Sequence, residues 1–394
     1  MPAPSRQRAE TARWHTAAQV LAALRRQPDI TRAAMAQQLH LSSGSATEVL
    51  ARMREVRLLD EEPAPIRGRG RPTTLLRPHR GGPVVLALDL RHEDWRSALA
   101  TVDGRLHEPR VHRHRSREPE HVLADLRGHL RRVHRRYGPR LRAASLAVAA
   151  AIHGDRLVQA SALGWGPVDL ASVAEGTGLP LLAGNDATLA GIAEARTGAS
   201  TAGGTALHLI VEVGIGGTLT VAGEAVTGAH GAGGEYGHLP FGDRSQRCPC
   251  GARGCWDLDV DGRALARHLG EPEPADPRTY ARAVLDRAAS DPYARRAVST
   301  VAAALGAGIA GLVNLHDPEV VTLGGLGSAL RTAASAPFDA AYLDGLMAFH
   351  RARPPLVLDA AHGDDGPLRG AALVGLDHVT AEAALATWAV EFRM

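Results

Sequence analysis

A chain of 394 residues, 45% apolar, with 45 basic against 42 acidic side chains, is long enough for two or three domains and a large hydrophobic core. It has neither an 18-residue run of purely apolar side chains nor a charged-then-apolar leader. No membrane span or export is therefore expected, and the expected location is the cytoplasm, where thiols stay reduced. The net charge of +3 hides an asymmetry: residues 1 to 80 carry 14 arginines against 7 acidic residues, a net of +7, which leaves −4 for the rest. A basic leading segment on a mildly acidic body suggests that the first part meets a polyanion. Every basic residue is arginine, which with so much Ala and Gly reflects coding bias rather than function.

From Thr16 to Leu59 apolar residues recur at helical spacing in three blocks: Val20, Leu21 and Leu24; Ile30, Ala34, Met35 and Leu39; Ala46, Val49, Leu50 and Met53. Thr31 and Ser42 are the expected N-caps of the second and third helices, with a turn of about three residues between them, as in a helix-turn-helix. The third helix would turn Ser43, Ser45, Thr47, Glu48 and Arg52 outward, toward base edges and phosphates. Two further apolar runs flank "PAPIRGRGRP", which reads as a β-hairpin wing with Arg67, Arg69 and Arg71 at a tip suited to a minor groove. The alternative is a small helical protein-interaction module with a solvated basic loop.

From residue 83 strands and helices alternate. "PVVLALDL" and "WRSALATVDGRL" read as a hairpin, residues 120–138 as an amphipathic helix and "LAVAAAI" as a buried strand. A second series runs from 205–226 through a helix-rich stretch to strands at 319–326 and 354–361. Two similar α/β halves are expected, each opening on an antiparallel hairpin, with ligands outside the carboxyl ends of the strands. The histidines between His107 and His134 read as solvated groups in an arginine-rich strand and helix rather than as metal ligands.

All three cysteines fall in "HLPFGDRSQRCPCGARGCWD", at Cys248, Cys250 and Cys255. An odd, close-set group points to metal ligation rather than disulfides, and His238 completes a Cys3His set. Thiolate and imidazole suit Zn2+, and four protein ligands leave no open position, so the zinc would be structural. The alternative is three buried thiols beside a loop histidine.

These residues carry a resemblance to the ROK family (repressors, open reading frames and sugar kinases), over about residues 15 to 385. The matching pattern is Gly234, Glu235, Gly237 and His238 followed by Cys248, Cys250, Gly251, Gly254 and Cys255; "GNDATLAGIAEA", "GIGG", "NLHDPEVVTLGG" and the wing "GRP" match as well. The resemblance implies an actin-like, sugar-kinase (ribonuclease H-like) two-lobed α/β fold behind a winged helix-turn-helix domain. The expected bounds are 1–80 for the winged helix and 83–394 for the ROK domain, with lobes of about 83–200 and 201–394 and a zinc loop at 238–255.

The resemblance further implies that Asn185, Asp186, Glu235, His238 and Asp257 hold the hydroxyls of a sugar. Relatives carry a glutamate at position 257, so the shorter Asp257 reaches less far. His238 can serve both metal and sugar through its two ring nitrogens. Asp186 would be the base of a kinase, or merely a helix N-terminal carboxylate. Family kinases hold ATP with an early Asp-x-Gly-Gly-Thr loop and a second glycine loop. Here Asp89 is followed by "LRHEDW", and Glu212 and Val213 precede Gly214 where Gly and Thr are usual. The expectation is thus a sugar-responsive repressor of carbohydrate genes and not an enzyme. Its partners would be operator DNA, a sugar or sugar phosphate effector and a second or fourth copy of itself, with no membrane. A sugar kinase with a DNA-binding arm and a sugar-sensing scaffold are the alternatives. His153 stands where relatives carry proline, and Trp165 is a candidate for packing over a sugar face.

Overall fold

The computed structural model describes residues 13–64, 73–154, 156–160, 163–201 and 204–392. In chain order come α1 (His15–Arg26), α2 (Arg32–Gln38), α3 (Ser43–Glu55), β1 (Leu59–Pro63), β2 (Thr74–Pro78), β3 (Val84–Leu90), β4 (Asp94–Thr101), β5 (Leu106–Arg113), α4 (Pro119–Tyr137) and β6 (Leu141–Val148). Next are β7 (Ala151–His153), β8 (Arg156–Gln159), β9 (Val168–Asp169), β10 (Leu181–Asn185), α5 (Asp186–Thr197), β11 (Thr205–Val211), β12 (Ile215–Val221) and β13 (Glu224–Ala225). The chain ends with α6 (Gly262–Leu269), α7 (Pro277–Arg287), α8 (Pro292–His316), β14 (Val320–Gly325), α9 (Leu326–Ala333), α10 (Ser335–Gly345), α11 (Ala348–Ala352), β15 (Leu356–Asp359), α12 (Gly366–Val379) and α13 (Glu382–Phe392).

Two compact units result: unit 1 is Met1–Ala147, Asp169–Ala183 and Ala371–Met394, and unit 2 is Val148–Val168 and Gly184–Gly370. The expected lobe boundary near residue 200 does not coincide with this division, because α5 falls in unit 2 and the end of the chain returns to unit 1. Nor do the N-terminal helices stand apart from the first sheet.

In unit 1 the helix starts are those the sequence implies. Thr31 Oγ1 accepts from the Ala34 amide and Ser42 Oγ from the Ser45 amide, each at 3.1 Å, so a donor left over at each helix start is satisfied. Strands β1 and β2 pair antiparallel, Leu59 opposite Pro78 and Pro63 opposite Thr74, forming the two legs of the expected wing. Its tip, with Arg67, Arg69 and Arg71, lies outside the described residues. The apolar faces of α1 to α3 close over one core with Leu58, Leu59 and Leu76, and α13 adds Leu385, Trp388 and Ala389 to it. Polar contacts fasten the same ends together: Trp388 Nε1 donates to the Val56 carbonyl (2.6 Å) and Arg25 reaches Asp377 (3.0 Å) and Thr380 (3.1 Å).

A five-stranded sheet of order β10-β6-β3-β4-β5 and another of order β15-β14-β11-β12-β13 repeat one topology. In each, an antiparallel hairpin leads, β3 with β4 and β11 with β12, and in the second, β14 pairs parallel to β11 and β15 parallel to β14. β3 is buried at all seven positions, as its unbroken apolar run implies. A small sheet of β7, β8 and β9 completes the strands. Helix α8 has a stretch of mean hydropathy 1.7, long and apolar enough to cross a membrane by composition, but 56% of that stretch is buried in the protein. Its Val301, Leu305, Ile309 and Val313 form the centre of the unit 2 core against Leu207, Leu209 and Leu323 of the sheet.

Candidate functional site

In unit 2, the candidate sugar-binding side chains cluster around the end of the β11–β12 hairpin. The loop carrying Glu235 and His238 is pressed against β12: Gly217 donates to the Gly234 carbonyl (3.1 Å). A side chain at Gly234, where φ is +100°, would meet the Gly217 carbonyl at 2.0 Å. A Cβ at Gly237 would fall 1.8 Å from Asp257 Oδ1. Glycine is therefore required at both positions by contact, which accounts for the Gly-Glu-x-Gly-His pattern in physical terms.

Asp257 Oδ1 accepts from the Ile215 amide at 2.6 Å, while its Oδ2 lies 3.6 Å from His238 Nδ1. The substituted aspartate thus clamps the start of β12 and faces the histidine. Burial pushes its carboxyl up, opposed by the Ile215 amide and by His238. Glu235 Oε2 lies 3.9 Å from His238 Nε2. Its carboxyl too is raised by burial, and Asp257 adds to the effect. The two ring nitrogens of His238 accordingly face different groups, Nδ1 toward thiol and Asp257, Nε2 toward Glu235.

Asn185 caps α5. Its Oδ1 accepts from Thr188 (2.9 Å) and its Nδ2 donates to the Ala150 carbonyl (3.1 Å), so both ends of the amide hold the scaffold. Asp186 Oδ1 accepts from the Ala187 amide at 2.8 Å, in keeping with the helix-start reading of that carboxylate. His153 lies beside His230 with the rings tilted by 60° and their centroids 6.3 Å apart, and Trp165 is buried, bridging to Ala160.

The ligand atoms of His238, Cys248, Cys250 and Cys255 all lie within 4.8 Å of one another. Cys248 Sγ is 3.8 Å from His238 Nδ1 and Cys250 Sγ is 3.6 Å from Cys255 Sγ. Zinc bonds of about 2.3 Å to sulfur and 2.0–2.1 Å to nitrogen at tetrahedral angles give edges of about 3.5–3.8 Å, so the donors fit that ion. Burial and the two neighbouring thiols push the Cys255 thiol up to about 12, so a cation is what would bring these groups to the thiolate form.

Beyond the expected residues, Glu212 at the end of β11 has a partner that nothing in the local sequence signals. Its Oε2 lies 2.6 Å from Arg278 Nε, an ion pair bent off the hydrogen-bond line, and Arg278 also reaches Asp364 (3.0 Å). A Cβ at Gly325, where φ is +62°, would stand 2.7 Å from Glu212 Oε1. Burial lifts the Glu212 carboxyl to about 7, partly offset by Arg278. The neighbouring Val213 carbonyl accepts from Arg263 at 2.7 Å. The turn between β11 and β12 is thereby tied to Arg278 and Arg263. In unit 1, Asp89 is almost fully buried and takes both Nε (3.0 Å) and Nη2 (2.6 Å) of Arg96, while Arg91 and Asp94 close the adjoining turn at 2.6 Å.

The candidate DNA-facing residues lie on α3 of unit 1 and are exposed or partly exposed. Thr47 donates to the Ser43 carbonyl (2.7 Å) and accepts from Arg32, and Ser45 bonds the Ser42 hydroxyl (2.9 Å). Arg52 is held by Glu48 (2.8 Å) and the Arg13 carbonyl (3.0 Å).

Repeated sheets of this order, with helices packed on them, define an α/β chain of the sugar-kinase class. Residues 85–377 match the ROK family, and the chain belongs to that family. A kanosamine kinase of Amycolatopsis mediterranei (strain S699) is 32% identical over 264 residues, 65% of this chain and 84% of the relative. The xylose repressor of Bacillus subtilis (strain 168) is 24% identical over 160 residues, 40% of this chain and 41% of the repressor. Among solved structures, a ROK family transcriptional regulator, a homolog of the E. coli MLC protein, aligns with a TM-score of 0.75 at 20% identity, covering 97% of this chain and 100% of its own. A ROK hexokinase from Thermus thermophilus aligns with a TM-score of 0.60 at 30% identity, covering 75% and 99%. Regulators and kinases are both among its relatives.

Proposed function

We propose that this chain is a cytoplasmic, sugar-responsive, DNA-binding transcriptional regulator, a repressor of carbohydrate-utilisation genes that does not transfer phosphate. The observation that carries this reading is the filling of both positions where kinases of the family hold ATP. Arg91 and Asp94 pair across the turn that stands in place of the glycines and threonine after Asp89, and Glu212 pairs with Arg278, so a polyphosphate would meet carboxylates there instead of backbone amides. The effector is a sugar or sugar phosphate held by Asp186, Glu235, His238 and Asp257, with Asn185 fixing the start of α5. Zn2+ held by His238, Cys248, Cys250 and Cys255 has a closed shell and supplies loop order rather than Lewis acidity. Helix α3, with Ser43, Ser45, Thr47 and Arg52, and the wing arginines Arg67, Arg69 and Arg71 contact operator DNA as a homodimer or homotetramer, whose two-fold symmetry matches a palindromic site.

Fluorescence anisotropy on DNA from upstream of its own and neighbouring genes, repeated with a panel of sugars and sugar phosphates, tests this. Salt-dependent binding changed by one member of the panel supports it; binding that no member alters sinks the sugar-responsive part. The kanosamine kinase likeness favours one other reading, a working sugar kinase. It requires sugar-dependent ADP release by the purified protein, and we expect none above background.

A further inference from the structure

The N-terminal eighty residues are not the most basic part of this chain. Residues 105–142 contain 12 arginines and four acidic residues, a net of +8, whereas residues 143–394 carry a net of −10. In unit 1 this segment is β5 and α4. β5 is the outer strand of its sheet and exposed along most of its length. α4 packs on β4 and β5 through a buried ring cluster: His112 stacks on Trp95 at 3.8 Å and His129 sits edge-on to both, at 5.1 and 5.2 Å. Two of the histidines expected to be solvated are therefore packing groups.

On the solvent side, α4 exposes Arg131, Arg132, Arg135 and Arg136. Like charges four residues apart repel on a helix, and few carboxylates answer them. Glu108 takes Arg136 in two bonds (2.8 and 3.0 Å) and lies 3.7 Å from Arg110. Glu175 takes Arg127 (3.1 Å), and its carbonyl accepts from Arg131 (2.9 Å). Among the described residues, no carboxylate pairs with Arg113, Arg115, Arg132 or Arg135. Arginines in the last turn of a helix offset its dipole, which accounts for Arg135 and Arg136 but not for Arg110, Arg113 or Arg115 before it. Burial, then Arg110 and Arg132, lowers His112; burial, then His112 and those same arginines, takes His129 to about 4. His112 and His129 therefore add no charge to this face near pH 7.

We propose that the β5–α4 face of unit 1 is a second contact to duplex DNA, one that grips the phosphate backbone without reading bases. The proposal rests on the reading of the chain as a DNA-binding protein. Guanidinium forks match phosphate oxygens, and a 19-residue helix is about 28 Å long, a length over which a duplex presents about 16 phosphate charges. Val111 is the one large apolar side chain exposed along β5 and α4 among the described residues, which leaves little to insert into a lipid surface and favours nucleic acid over a membrane.

The test uses the full chain and a random-sequence duplex of about 40 base pairs, with affinity measured from about 50 to 300 mM salt, where each released phosphate contact contributes about 0.9 to the log–log slope. The variant replaces Arg110, which lies on the same side of β5 as His112, and Arg131, Arg132 and Arg135 of α4 by alanine, and thermal melting checks its fold. We expect the slope to fall by about 2 to 4 and affinity at low salt to drop at least tenfold, while Arg52→Ala on α3 lowers the slope by about one. A quadruple variant with the wild-type slope overturns the second contact alone. Wild-type protein that binds no DNA at any salt overturns the DNA-binding reading with it.

Discussion

Gly237 has no room for a methyl group, because a Cβ would fall 1.8 Å from the carboxylate that holds the Ile215 amide. Gly237→Ala is expected to cost about 1–3 kcal/mol as an overpacking change, read as a lower denaturant midpoint with unchanged slope. Glu212 gives a pH-dependent counterpart. Its folded-state pKa of about 7 lies above the ordinary carboxylate value, so the folded chain binds the extra proton and this group's contribution to stability falls as pH rises from about 4.5 to 7. The charged groups around it are Arg278, Arg282, Asp364 and Asp186. Glu212→Gln should therefore melt progressively higher relative to wild type across that window, and a difference that stays flat with pH would contradict the assignment. Sequence reading flagged Asp257 as a departure of shorter reach but had no means of finding what its carboxylate touches. The Ile215 amide lies 42 residues away, and only folding brings the two together. The Glu212–Arg278 pair was illegible for the same reason.

At the level of elements, local rules carried far. Thr31 and Ser42 begin their helices because short hydroxyl side chains take up orphan amides, and Ser42→Ala is expected to cost about 1 kcal/mol in chemical denaturation. β3 was legible because a strand buried on both faces must be apolar throughout. β5 was legible only as an arginine-rich strand without bounds, since an outer strand exposed to water has no pattern to keep: "LHEPRVHR" includes a proline and three charged residues. Its helix partner was legible from an apolar stripe of Val122, Leu123, Leu126 and Leu130, but the ring cluster beneath it was not.

For the molecule as a whole, the metal loop is the part most open to a direct challenge. Treatment with a strong chelator, or replacement of the exposed Cys250 by serine, should remove about one zinc per chain and lower the melting temperature, because a structural ion contributes folding energy outright. Metal analysis and calorimetry on the same samples decide it; a chain that melts unchanged without metal would leave those thiols no structural role. The family was readable from a run of glycine, histidine and cysteine: close contact fixes Gly234 and Gly237, and the histidine and cysteine donors lie within 4.8 Å of one another. The grouping of the first helices with the last was not readable, since it depends on a single packed core drawn from both ends of the sequence.

That shared core sets an order in time. The helices α1 to α3 leave the ribosome well before α13, and Leu385, Trp388 and Ala389, which complete their hydrophobic interior, are made more than 300 residues later. At about 5–20 residues per second the delay is on the order of tens of seconds. A newborn chain therefore spends its synthesis with the interior of its leading helices unfinished, and it is closed only when α13 has emerged.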